Sequence, residues 1–129
     1  MCTPKGTLAF SARNPVCGCD NVTYWNAQVA DAFGANVRAG SGACNDIVAA
    51  RCNGIANLKC PEKRDCNMPL LAAVACPANN AEGRCWGMPP CPATAGKLSQ
   101  CNGGNAKECT NECVAITDDR PYFQDGMCP

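Results

Sequence analysis

Asn14-Pro15-Val16-Cys17-Gly18-Cys19-Asp20-Asn21-Val22-Thr23-Tyr24-Trp25-Asn26 is the stretch on which the reading of this chain turns. Pro15 to Cys19 and Val22 to Tyr24 read as two short strands around an Asp20-Asn21 turn, because turn-forming residues separate β-branched and aromatic ones. A helix follows. Asn26 can cap its N-terminus, Trp25, Val29 and Phe33 recur every four residues on one face, and Gly34 stands where a left-handed C-terminal cap belongs. Asn36 to Ala39 are then placed to return as a third strand. In a strand Cys17 and Cys19 point to the same face, which sends them to different partners rather than to each other.

Pro15-Val16-Cys17-Gly18, Asp20, Thr23-Tyr24 and Asn26 stand at the relative spacings of the Kazal family of serine-protease-inhibitor modules, and the stretch resembles that family. The resemblance continues through Ala27 to Gly34 and closes at Gly42-Ala43-Cys44, covering about a third of the chain. It implies an extracellular, disulfide-stapled unit of a short antiparallel sheet plus one helix, with Cys17 bonded to Cys44. It also implies an inhibitory loop from Ala9 to Pro15. Phe10, Ser11, Ala12 and Arg13 would form its centre, with Ser11 facing the protease specificity pocket and the scissile bond between Ser11 and Ala12. Asn26 would brace this loop from behind, or serve only as the helix cap. The family would tie the loop to the helix through cysteines at positions 9 and 28. This chain has Ala9 and Gln28, so the covalent tie is absent and the loop is expected to bind less tightly. The partner position of Cys2 falls on Asp31, which leaves Cys19 as the expected partner of Cys2.

Fourteen cysteines in 129 residues mark a disulfide scaffold. Leu, Ile, Val and Phe supply only about 14% of the chain, a level that suggests disorder unless crosslinks constrain the unfolded state. Bridges of this density persist in oxidising compartments, so a secreted, periplasmic or cell-surface location is expected. No charged n-region with an apolar h-region opens the chain, so an exported form would already have lost its signal. The formal net charge is zero and no Lys/Arg run exceeds two residues, which argues against nucleic acid and anionic membranes as partners. The longest apolar run, Leu70 to Cys76, is too short to span a bilayer.

Three units in series are expected: a Kazal-like unit over 1–44, a loop-dominated cysteine-rich unit over 45–90, and a degenerate Kazal-like unit over 91–129. In the middle unit, turns are expected at Asn53-Gly54, Pro61 and Glu82-Gly83. Pro69 with Leu70, Leu71 and Val74 reads as the start of a short helix, and Trp86 to Pro92 as an extended, polyproline-like connector. The last unit repeats the order of the first: Cys101, an Asn102-Gly103-Gly104-Asn105 turn, Thr110-Asn111-Glu112-Cys113, a short helix to Thr117, then Gly126-Met127-Cys128. By this weaker analogy Cys101 joins Cys128 and Cys91 joins Cys113. That leaves Cys52, Cys60, Cys66, Cys76, Cys85 and Cys109 with their connectivity open. The pairing of residues 53–61 with a Kazal-like stretch also resembles secreted bacterial cysteine-rich proteins.

The absence of histidine removes Ser-His-Asp and Cys-His catalysis and any His-ligated metal site. No Cys-x-x-Cys occurs, so neither a redox dithiol nor a structural zinc site is expected, and no cofactor or catalytic residue is assigned. Asp118-Asp119 read as a solvated turn before Arg120, and Arg13 and Arg38 as solvated charges. Trp25, Trp86, Tyr122 and Phe123 read as seeds of small cores. Asn21-Val22-Thr23 is an N-glycosylation sequon, meaningful only in a host that glycosylates. Two functions follow. One is an extracellular, non-enzymatic structural or protein-binding protein, self-assembling or engaging another extracellular protein. The other is a Kazal-type inhibitor whose partner is a serine protease.

Overall fold

The computed structural model describes residues 12–38, 42–45, 47–70, 76, 81–91, 96, 98–101 and 107–127. Strands β1 (Val16–Cys17) and β2 (Thr23–Tyr24) form the expected antiparallel hairpin, with Val16 opposite Tyr24. Its turn is set by two residues. Asp20 Oδ1 accepts the Val22 N–H at 3.1 Å, and Asn21 takes φ 66°, a left-handed conformation that asparagine tolerates better than most residues. Helix α1 (Ala27–Ala32) starts where Asn26 Oδ1 accepts the Val29 N–H at 2.8 Å and stops before Gly34 at φ 74°. The expected third strand contracts to a single bridge between Val37 and Gly18.

The first sheet is organised by a strand that the sequence reading does not contain. Strands β3 (Arg51–Asn53), β4 (Asp65–Asn67) and β6 (Glu82–Gly87) lie antiparallel, with β6 between the other two: Arg84 faces Arg51 on one side and Asn67 on the other. Beyond β3, on the same edge of β6, β2 pairs parallel, Thr23 opposite Trp86. Ala50 joins the two segments, donating to Asn21 O at 2.9 Å and accepting from Cys85 N at 2.8 Å. The result is a five-stranded sheet of β1, β2, β3, β4 and β6. Glu82-Gly83 is therefore strand rather than turn, and Trp86-Gly87 end that strand rather than open a connector. The region 45–90, expected to be loop-dominated, supplies four strands.

The fourth of these is β5 (Pro69–Leu70), where a helix start is expected. It pairs parallel with β9 (Tyr122–Met127) at the edge of a second sheet, ordered β5-β9-β7-β8 with β7 (Leu98–Cys101) and β8 (Lys107–Thr110). Proline cannot donate to a ladder, and an edge strand is where that matters least. The expected Asn102 to Asn105 turn and residues 71–75 lie outside the described residues. Helix α2 (Glu112–Thr117) follows β8, with Asn111 Oδ1 accepting the Val114 N–H at 2.8 Å. Asn111 thus repeats the capping role of Asn26. The pairings run across both expected unit boundaries: β2 to β6 crosses 44/45 and β5 to β9 crosses 90/91.

One core serves all three parts. Val22, Tyr24, Trp25 and Val29 pack with Met68, Trp86, Ile116 and Tyr122, while Leu70, Cys76, Cys101 and Phe123 form a smaller cluster. The rings of Trp25 and Trp86 meet edge-on at 6.2 Å between centroids, a favourable aromatic geometry. Gly87 is required where it stands, since a Cβ there would overlap the Tyr24 ring.

Five bridges cross-link the described residues: Cys17–Cys44, Cys52–Cys66, Cys60–Cys85, Cys76–Cys101 and Cys91–Cys113. Cys109 is bridged as well. Cys101 does not join Cys128. Strand β7 carries it into the cluster with Leu70 and Phe123, where Cys76 is its neighbour, and Cys128 lies outside the described residues. Cys76 therefore leaves the group of six whose pairing the sequence left open. Nor does Cys19 pair with Cys2: Cys19 is an exposed free thiol. The strand geometry that would aim it inward ends at Cys17, so Cys19 lies on the turn and faces solvent. Cys2 lies outside the described residues.

Candidate functional site

The site built by the resemblance is the segment entering β1. Phe10 and Ser11 lie outside the described residues, while Ala12 and Arg13 are exposed and Asn26 is buried. Asn26 has two roles at once. Its Nδ2 donates to Ala12 O at 2.7 Å while its Oδ1 caps α1, so the brace and the cap, weighed as alternatives from sequence, are two ends of one amide. Asn14 N–H donates to Trp25 O at 2.9 Å and Gly42 N–H to Pro15 O at 3.1 Å. Main-chain and side-chain hydrogen bonds thus hold residues 12–14 against the β2–α1 junction, and Pro15 against Gly42. Gln28, on the first turn of α1, is half-buried.

Arg13 is not the solvated charge that its sequence context suggests. Its Nε donates to Glu112 Oε1 at 2.6 Å, and its Cζ lies 5.7 Å from the Trp25 ring and 5.8 Å from the Trp86 ring. These distances are within the range of cation–π attraction. Glu112 belongs to the last third of the chain, and nothing in the local pattern around either residue announces the contact. Arg64 makes a similar connection. It hydrogen-bonds the Tyr24 hydroxyl from Nη2 at 2.8 Å, approaches Asp20 at 3.6 Å and covers Phe33 at 4.6 Å. The Tyr24 hydroxyl in turn donates to Asp20 Oδ2 at 2.7 Å, and burial, aided by that acceptor, pushes its pKa up. Arg38 also has a partner, donating to the side chain of Asn21, the sequon asparagine.

Arg64 also borders a cavity of about 420 Å³, lined as well by Asn57, Lys59, Cys52, Cys60 and Asp119. The sulfurs of Cys52, Cys60 and Cys85 come within 4.8 Å of one another. All three are disulfide sulfurs, so they offer no thiolate, the form in which cysteine ligates a metal. Asp118 is drawn to Arg120 at 3.0 Å, as expected of a turn, whereas Asp119, though exposed, also holds main chain: its Oδ1 accepts the Cys66 N–H at 2.7 Å. Burial raises the pKa of Asp119, and burial together with the Asp119 charge raises Asp65 to about 6. No helix among the described residues is long and apolar enough to cross a membrane.

No protein-family model matches the chain, and no curated protein or solved structure is significantly similar to it.

Proposed function

We propose that the chain is an extracellular, non-enzymatic structural protein, built on disulfide-stapled Kazal-like units, that acts by associating with other protein surfaces, including copies of itself. The observation that carries this reading is the exposure of large apolar side chains on the two turns flanking β3. Ile47 and Ile55 are 85% and 92% exposed, and Val48 and Leu58 lie beside them in sequence, also exposed. Zero net charge removes the long-range repulsion that keeps copies apart. The test is sedimentation of the oxidised chain over a range of concentrations. Wild type is expected to associate and an Ile47→Ser/Ile55→Ser variant to remain monomeric; a sharp wild-type monomer throughout would sink the self-association reading.

A second reading, a Kazal-type serine-protease inhibitor working through the loop from Ala9 to Pro15, is favoured by the Asn26 brace on Ala12 O. A braced loop loses less entropy on docking, which is how a standard-sized interface becomes a tight one. Titration against trypsin-, chymotrypsin-, elastase- and subtilisin-like proteases tests it. Stoichiometric loss of protease activity, weakened by Ser11→Pro, is the expected result; full protease activity at excess chain would refute it.

A further inference from the structure

Positions 9 and 28 hold Ala9 and Gln28, so no disulfide ties the loop to the helix there, but a non-covalent contact reaches it from the far end of the chain. We infer that Arg13 and Glu112 form a non-covalent latch by which the last third of the chain sets the conformation of the loop at residues 12–14. The inference rests on the reading of that loop as the element presented to a partner, but it can fail or stand separately. Three kinds of contact converge on Arg13. Its flanking backbone is fixed on both sides, by Asn26 to Ala12 O and by Asn14 to Trp25 O. Its guanidinium lies against both tryptophan rings and pairs with Glu112 across 99 residues of sequence.

Both halves of the seat are themselves rigid, and a latch requires that. Trp25 N–H donates to Gly87 O at 2.9 Å and its ring abuts Trp86, which belongs to the central strand of the first sheet. Glu112 is the first residue of α2, next to Cys113, whose bridge to Cys91 anchors the helix start. A carboxylate at that position also favours the positive end of the helix dipole. Arg13 is therefore a positioning residue: lysine would keep the charge but lose the planar fork and the stacking that this seat accepts.

The pair is partly open to solvent, with side chains 49% and 28% exposed, so its contribution is modest and sensitive to salt. The experiment is amide hydrogen exchange, by NMR, on the full oxidised chain. Glu112→Gln is expected to speed exchange of the Asn14 amide about fivefold, and Arg13→Ala about tenfold because the ring contacts go as well. The Val29 amide, in α1 behind the same asparagine, is expected to keep its rate in Glu112→Gln. Sodium chloride at about 0.5 M should move wild type toward Glu112→Gln and leave the variant unchanged. An unchanged Asn14 rate in Glu112→Gln would overturn the latch, and so would equal acceleration at Asn14 and Val29, which reports general destabilisation. A chain that inhibits no protease yet shows the local, salt-dependent acceleration retains the latch and loses only the inhibitor reading.

Discussion

Asp119 repels Asp65 across the seam between β4 and the C-terminal end of α2. Burial is the larger cause and the neighbouring charge the smaller, and together they raise Asp65 from 3.8 to about 6. Asp119 is held in place, because its Oδ1 accepts the Cys66 N–H and its backbone is fixed at φ 54°.

The sign of the pH dependence follows. A folded state that binds the Asp65 proton more tightly than the unfolded state is favoured by this group at low pH, and loses that advantage as pH rises from about 4 to about 6. Asp65→Asn should match wild type in stability near pH 3.5 and exceed it by about 1–2 kcal/mol near pH 7, after allowance for solvent screening. Urea midpoints of the two chains across that range check this; a difference that does not change with pH would contradict it.

Asn26→Ala removes the helix cap and the loop brace together and should destabilise the chain by about 2 kcal/mol. Asn26→Ser retains a capping oxygen but is too short to reach Ala12, so about half that loss is expected. Denaturant unfolding of the three proteins measures both.

Gly83 of β6 lies under the bridge between the two flanking strands. A Cβ there would come within 2.8 Å of Cys66 Sγ and 2.7 Å of Met68 Cγ. Gly83→Ala should therefore destabilise by about 3 kcal/mol and impair formation of Cys52–Cys66, leaving labelled thiols at both positions after oxidative refolding and peptide mapping.

The Tyr122 hydroxyl donates to Asn67 Oδ1 at 2.8 Å, with both residues buried. Burial raises the Tyr122 pKa to about 12, so the donor stays protonated throughout the working range. Tyr122→Phe leaves a buried acceptor unmatched and should lower stability by about 1–3 kcal/mol, read by thermal or urea unfolding.

Alkylation of the oxidised, folded chain with iodoacetamide should label Cys19 and spare the ten cysteines of the five described bridges. Label at Cys17 or Cys44 instead would mean that Cys19 has displaced one of them by exchange.

Where contacts are local, the sequence was sufficient. The β1–β2 turn, the Asn26 cap and the Gly34 stop each depend on residues only a few positions apart, so residue type alone announces them. Strand β6 shows the opposite case. Glu82-Gly83-Arg84-Cys85-Trp86-Gly87 has glycine near both ends and no clean alternation, and it is a strand because Thr23, Cys52 and Cys66 arrive beside it from distant parts of the chain. Pro69-Leu70 reads as a helix start for a related reason: proline at a first helical position and proline on a sheet edge look alike until β9 supplies the neighbour. At the loop, the residue pattern points to Asn26 as a cap and the resemblance points to it as a brace, each as an alternative to the other, and one amide serves both. Glu112 is not legible, since an acidic first helical residue is ordinary and its partner is in another third of the chain.

Strand β6 also governs the order in which the molecule can be made. The hairpin of β1 and β2 precedes β6 in the chain, yet Tyr24 and Trp25 acquire their neighbours Gly87 and Trp86 only when synthesis has passed through that strand. Long-range pairing of this kind slows folding, because loop closure must precede the contacts that reward it. A fragment ending at residue 44 would lack the neighbours that Gly87 and Trp86 give Tyr24 and Trp25, so this stretch is not an interchangeable cassette: it completes its own packing only in the company of the chain that follows.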